Sequence, residues 1–217
     1  MIPILGKQLF GQSSDAIYKM ALQAFTDTGL TKVTVADVGA GQGNFARLLA
    51  SSERAVTLLD DFEPVDLPLN CQWIKADLNN SWHGVQTQFD FVIALEVIEH
   101  LENPRHFFRE IIKLMKPGAY GFVSTPNNDS LFSRLNFLLT GQHRWFQDSC
   151  YPAHITPILE VDLLRILREN GLITVGLYYS NEETIPKLNY TLNWKGKLYS
   201  KNFGVLFRKP VFTDSQH

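Results

Sequence analysis

Residues 35–45 read VADVGAGQGNF, with an apolar run entering and three glycines, Gly39, Gly41 and Gly43, at the point where a helical pattern from Asn44 to Ala50 begins. A buried parallel strand reads as a continuous apolar run. Glycine at such a strand-to-helix turn permits positive φ and lets the backbone approach a ligand closely. A tight turn with no ligand is the plain alternative, and the rest of the chain decides between the two. Asp60 lies 21 residues beyond Gly39, at the end of the apolar run Ala55–Leu59, a distance that suits an acid binding the hydroxyls of an adenosine ribose. Its neighbour Asp61 can take the same role, and a solvated acidic turn is the ordinary reading of both. A third acid, Asp77, follows a weaker strand at Gln72–Lys75, so three acids fall at successive strand ends. The glycine spacing differs from the dinucleotide fingerprint, and no Lys or Arg stands in the loop to meet a phosphate. An adenosine ligand without phosphates fits better.

Outward from this loop, further strands are expected at Phe89–Leu95, Tyr120–Ser124 and Phe203–Phe207, and the chain from about Val33 to Val175 alternates strand and helix with short connections. Ile17, Met20, Ala21, Ala24 and Phe25 share one face of a first helix that Gly29 ends. Asn103 and Pro104 open another helix, which closes before Pro117-Gly118. After Pro126 the alternation stops for about thirty residues. Within that break Asp129 is expected to cap a short amphipathic helix carrying Leu131, Phe132, Leu135, Leu138 and Leu139, ended by Gly141. Thr156 is expected to cap the next helix, through Leu163, Ile166 and Leu167. The expected organisation is one domain over residues 1–217, with an insertion at about 127–155 in the place of a substrate lid and an antiparallel extension at about 172–210.

Composition narrows the function. With 20 Lys and Arg against 22 Asp and Glu, there is no basic excess for gripping nucleic acid or anionic lipid through long-range charge, although a local patch is compatible with these totals. No apolar run approaches the roughly 18 residues of a membrane span, and the opening MIPILGKQLFGQSSD has too short an apolar stretch for a secretory signal, so a cytoplasmic protein is expected. Cys71 and Cys150 form no paired motif and suggest neither a disulfide framework nor a thiolate metal site.

Taken in order, VADVGAGQGNF, LLD (58–60), ADL (76–78), FDFVIALEVIEHL (89–101) and LMKPGAYGFVSTPN (114–127) resemble successive motifs of the class I S-adenosylmethionine-dependent methyltransferases. EVIEHLENP, STPN and His154-Ile155-Thr156 are similar to the branch that contains the 3-demethylubiquinone O-methyltransferases. The resemblance implies a Rossmann-like, doubly wound α/β sheet of seven strands, mostly parallel, with the last strand antiparallel. It implies S-adenosylmethionine as cofactor, with Asp37, Gly39, Ala40, Gly41 and Gly43 at the methionine part, Asp60 or Asp61 at the ribose, and Asp77 with Leu78 at the adenine. Leu95 and Glu96 would line the cofactor after the fourth strand. Ala40 stands where many relatives have Cys.

A sulfonium is already an activated electrophile, so the protein must mainly align the acceptor, a small or carrier-linked molecule. If the acceptor is a hydroxyl, His100 and His154 are the candidates to take its proton. Glu96, Glu99 and His100 share one face if the chain turns helical after Leu95. A helix start with solvated acids and a packed histidine is the preferred reading, and no metal ligand is assigned. With His154 added, the set would suit a divalent ion. A similar arrangement occurs in small-RNA terminal 2′-O-methyltransferases, which makes metal-assisted RNA methylation one alternative and a non-catalytic cofactor-binding module another. In the insertion, Leu131 and Leu135 turned into a cavity would favour a quinone-like or lipid-like acceptor. Arg134 or Arg144 turned inward would favour an anionic one.

Overall fold

The computed structural model describes residues 13–180 and 194–211, together with the backbone of 183–185 and 190–192. The chain runs α1 (Asp15–Asp27), β1 (Val33–Val38), α2 (Asn44–Leu49), β2 (Arg54–Asp60), β3 (Cys71–Lys75), β4 (Phe89–Leu95), a 3₁₀ turn (Ile98–His100), α3 (Pro104–Leu114) and β5 (Met115–Pro126). It continues through α4 (Leu131–Thr140), α5 (Glu160–Glu169), β6 (Ile173–Tyr179), β7 (Glu183–Ile185), β8 (Tyr190–Leu192) and β9 (Asn202–Arg208). Seven strands form one sheet in the order β3-β2-β1-β4-β5-β9-β6, and β7 with β8 forms a separate antiparallel pair. Strands β1 to β5 pair in parallel, while β9 enters antiparallel between β5 and β6. This is the expected mostly parallel sheet with its last strand reversed. Within 172–210, β6 runs with the parallel set, so β9 is the one reversed member of the large sheet.

The inner strands are buried on both faces, which is why β1, β2, β4 and β9 read as apolar runs rather than alternating ones, while the edge strands β3 and β6 are partly exposed. Successive residues still point to opposite sides. On β4, Phe91, Ile93 and Leu95 pack with α1 and α2, alongside Ile17, Met20 and Phe45. Val92 and Ala94 face the other layer with Phe107, Phe108 and Ile111 of α3 and Leu163 and Ile166 of α5. The edge-on contact of Phe25 with Phe91, ring centroids 5.1 Å apart, seats α1 on the sheet.

Two caps differ from expectation. Ser130, not Asp129, caps α4, accepting a hydrogen bond from the Ser133 amide. Asp129 serves the neighbouring helix instead, its carboxylate accepting from the Glu160 amide at 3.3 Å. Helix α5 therefore starts at Glu160, and Thr156 donates its hydroxyl to the Leu101 carbonyl rather than capping anything.

Candidate functional site

In open α/β sheets, ligands bind beyond the carboxyl ends of the strands where the strand order reverses. Here that point lies between β1 and β4. The glycine loop stands on one side of it and the turn after β4 on the other. Gly39, Gly41 and Gly43 have φ of +72°, +53° and +71°. Gly39 is required twice over, because a Cβ there would also fall 2.4 Å from a Val97 methyl, inside van der Waals contact. The two loops thus pack backbone against side chain along the crevice floor.

The four expected acids take different positions. Asp37, at the end of β1, is buried, and its Oδ2 has no hydrogen-bond partner. Burial, and secondarily the charge of Asp60, push its carboxyl up to about 7. An unpartnered buried carboxylate is costly unless something cationic or hydrogen-bonding meets it. Asp60 reaches back over the loop: its Oδ2 accepts from the Gly41 amide at 2.8 Å and its Oδ1 from the Phe62 amide at 3.1 Å. Asp61 turns away to Lys75, 3.3 Å distant, so Asp60 is the acid that faces the glycine loop. Asp77 is exposed and closes its own turn, accepting from the Asn79 amide and the Asn80 side chain, while Leu78 leans on the core. Ala40 is half-buried between Gly39 and Gly41.

Beyond Leu95, Glu96 adopts φ +56°, rare for a residue with a side chain. Its carboxylate accepts from the Ser124 hydroxyl at 2.7 Å and from the Asn202 amide, which come from β5 and the start of β9. Burial raises it to about 7 in spite of those two donors. The left-handed turn breaks the helix expected after Leu95, so Glu96 does not share a helical face with Glu99 and His100. Ser124 and Asn202 were not singled out from the sequence. Ser124 carried a signal, a hydroxyl at the carboxyl end of an apolar strand. Asn202 carried none, because its place depends on β9 pairing with a strand about eighty residues earlier.

Three other groups do converge. Glu99, His100 and His154 bring ligand atoms within 4.8 Å of one another, and the two imidazole rings meet edge to face at 4.9 Å. Each ring is held from behind: His100 Nδ1 donates to the Ala153 carbonyl at 2.6 Å and His154 Nδ1 to the Trp145 carbonyl at 2.7 Å. A carbonyl can only accept, so in the neutral form of each ring the proton sits on Nδ1 and Nε2 is left as the acceptor. Burial, and then the neighbouring His100, lower the His154 pKa, opposed by the Trp145 carbonyl. Glu99 is fully buried, with Oε2 taken by the Thr125 hydroxyl and Oε1 without a partner. Burial and the nearby Glu96 hold its carboxyl well above the ordinary range. Its main-chain carbonyl accepts from Ile155 and Thr156, both at 3.0 Å, which ties the end of the insertion to the site.

Comparison with known proteins places this geometry. The family model described as a methyltransferase domain matches residues 8–175. The chain belongs to the class I S-adenosylmethionine-dependent methyltransferases. This methyltransferase is similar to the ubiquinone biosynthesis O-methyltransferase of Yersinia pestis, with 28% identity over 111 residues, 47% of this chain and 46% of that protein. It spans about half the length of the curated relatives it matches. Among solved structures, it resembles the putative methyltransferase in complex with the Trm112 methyltransferase activator of Haloferax volcanii, at a TM-score of 0.65 and 15% identity, covering 94% of this chain and 92% of that one. It also resembles the 1,6-didemethyltoxoflavin-N1-methyltransferase of Burkholderia thailandensis, solved with S-adenosylhomocysteine, at a TM-score of 0.62 and 14% identity, covering 90% and 79%. These likenesses carry the fold. No helix among the described residues is long and apolar enough to cross a membrane.

Proposed function

We propose that the methyltransferase binds S-adenosylmethionine at the β1/β4 crevice and methylates a hydroxyl of a small or carrier-linked molecule. One observation carries the reading: the unpartnered, buried Asp37 carboxylate beneath a three-glycine loop that Asp60 holds by its Gly41 amide. Asp37 with the loop of Gly39, Ala40, Gly41 and Gly43 receives the methionine end, whose ammonium supplies the missing partner. Asp60 receives the ribose, Asp77 and Leu78 lie toward the adenine, and Leu95 and Glu96 line the far wall. When bound, the cofactor supplies a methyl group activated on a sulfonium. His100 or His154 would take the proton of the acceptor hydroxyl on its Nε2. A lowered pKa keeps His154 neutral, and so able to accept, at pH 7. The named function of the curated relatives supports oxygen as the target and a ubiquinone-type precursor as the first acceptor to try. Calorimetry with S-adenosylhomocysteine, followed by methyl transfer to an acceptor panel, tests this. No binding at millimolar ligand refutes the site, whereas binding without transfer to any acceptor favours a non-catalytic module.

A second reading rests on the convergence of Glu99, His100 and His154. Two Nε2 donors, each oriented by a carbonyl, and one unpaired carboxylate oxygen are a donor set suited to a divalent ion beside the acceptor hydroxyl. Glu96, committed to Ser124 and Asn202, would stand outside that set. If a metal acts there, a chelator abolishes transfer and Mg²⁺ or Mn²⁺ restores it, His154→Ala is inactive, and an RNA 2′-hydroxyl becomes a candidate acceptor. Activity unaffected by chelator returns the two histidines to proton transfer alone.

A further inference from the structure

Two apolar surfaces flank the β1/β4 crevice, and neither is covered. On the β5 side, Ser133 is the one fully buried residue of α4, while Leu131, Leu135, Leu138 and Leu139 share a stripe that faces solvent, Leu139 being 84% exposed. Exposed Trp194 and Leu198 extend the stripe, the Leu198 carbonyl accepting from the Leu131 amide at 2.9 Å. On the β2 side, residues 61–70 lead from β2 to β3 without regular structure. They expose Phe62, Val65, Leu67 and Leu69, Val65 being 93% exposed. This loop is anchored beside the crevice: the Val65 amide donates to the Gln42 side chain of the glycine loop at 3.0 Å, and Arg47 of α2 pairs with Asp66 at 3.2 Å. Apolar patches of this kind mark surfaces that something covers.

The two surfaces carry opposite charge. Residues 130–147 and 194–201 hold Arg134, Arg144, Lys195, Lys197 and Lys201 and no Asp or Glu. Residues 60–70 hold Asp60, Asp61, Glu63 and Asp66 and no Lys or Arg. Ion pairs within the chain engage part of each set, Lys197 with Asp129 and Glu160, Asp61 with Lys75, and Asp66 with Arg47. Glu63 and Lys195 are exposed, and among the described residues neither has a partner. Both surfaces follow the carboxyl ends of their strands, on the edge of the sheet where the crevice opens. Three strand spacings, about 14 Å, separate β2 from β5, so the loop and the helix cannot cover one another within one chain. A second copy can cover both. A two-fold axis through the crevice exchanges its flanks, so the acidic loop of each copy meets the basic helix of the other. Opposite charges then fix the register of the contact, and the apolar side chains supply the affinity.

We infer that the protein forms a two-fold dimer in which the loop after β2 of one copy docks on α4 and residues 194–201 of the other. The two crevices then face each other, and each copy walls the acceptor side of its partner's crevice. The inference stands apart from the methyl-transfer reading, and its test reads mass rather than activity. Sedimentation velocity of the full chain, from low to high micromolar concentration, is expected to reach twice the chain mass, with a weaker dimer at high salt. Leu138→Glu with Leu139→Glu is expected to raise the dissociation constant by ~100-fold or more, since each buried leucine is worth roughly tenfold and a two-fold interface counts every substitution twice. Glu63→Lys and Lys195→Glu, each alone, set like charges opposite one another and should weaken the dimer by ~10-fold. Mixing these two variants should restore it, because both contacts of the mixed dimer then join opposite charges. Damage to the fold would not be repaired by mixing. All four positions are exposed, and each variant should keep the wild-type melting temperature, measured where the wild type is a monomer. A wild type that stays monomeric at high micromolar concentration overturns the proposal, as does a dimer that survives the double leucine change. So does a charge reversal that weakens nothing, or a loss that mixing does not recover.

Discussion

Asp37 gives the cofactor site a pH signature. In the free protein, burial and the nearby Asp60 hold its carboxyl at about 7 against an ordinary 3.8. A cationic ammonium placed at Oδ2 requires the ionised form, so binding must release a proton wherever the free carboxyl is protonated. The dissociation constant of S-adenosylhomocysteine is therefore expected to be nearly constant above pH 8. Below pH 7 it should weaken by about tenfold per pH unit, to ~100-fold at pH 5. Calorimetry in buffers of different ionisation enthalpy should count close to one proton released per ligand at pH 6. Asp37→Asn is the decisive perturbation, because Glu96 titrates in the same range and remains in the variant. It should abolish most of the pH dependence and weaken binding at pH 8 by about 2–5 kcal/mol, the usual cost of leaving one partner of a buried charge pair alone. Without ligand the sign reverses. A raised carboxyl contributes stability below its unfolded pKa and loses it as pH rises through about 7. Asp37→Asn should thus make the free protein more stable at pH 8, by on the order of 4 kcal/mol at most, and change little at pH 4. A pH-independent dissociation constant in the wild type, or wild-type affinity in Asp37→Asn, would refute the reasoning.

Further outcomes follow from the same contacts. Asp60→Ala removes the partner of the Gly41 amide and should weaken S-adenosylhomocysteine binding, while Asp61→Ala, which loses only an exposed pair with Lys75, should leave it unchanged in calorimetry. Asp60→Ala should also shift the onset of that binding to lower pH, since Asp60 is one of the charges that raise Asp37. Asn202→Ala takes a hydrogen bond from the Glu96 carboxylate and pushes its pKa higher. Denaturant unfolding should show a loss of about 1.5–3 kcal/mol at pH 8, where Glu96 must ionise, and a smaller loss at pH 5. Gly39→Ala meets both a positive φ and the Val97 methyl and should lower the melting temperature, with Val97→Ala in the same chain recovering part of the loss.

The sheet was legible because parallel strands buried on both faces write themselves as apolar runs, and the glycine loop and Asp60 because their spacing in the chain is local. From sequence the fifth strand reads only as Tyr120–Ser124, since Pro117-Gly118 looks like a break. In the structure the strand bulges there, between Met115 opposite Phe89 and Tyr120 opposite Phe91. The left-handed turn at Glu96 left no trace in composition, because nothing about a glutamate announces a φ that glycine or asparagine would take more easily. His100 and His154 were marked as candidates, but their meeting depends on the whole insertion returning to the 3₁₀ turn through the Glu99 carbonyl. For α4 the periodicity was plain and its direction was not. A helical stripe shows which residues share a side, and only the tertiary structure shows whether that side meets the protein or the solvent.

The most direct test of the cofactor site is a crystal structure of the methyltransferase grown with saturating S-adenosylhomocysteine. The ligand amino group is expected within hydrogen-bonding distance of Asp37 Oδ2, the ribose hydroxyls on Asp60, and the sulfur directed toward the side of the crevice that holds His100 and His154. A ligand bound elsewhere, or one lying in the crevice with Asp37 still unpartnered, would contradict it.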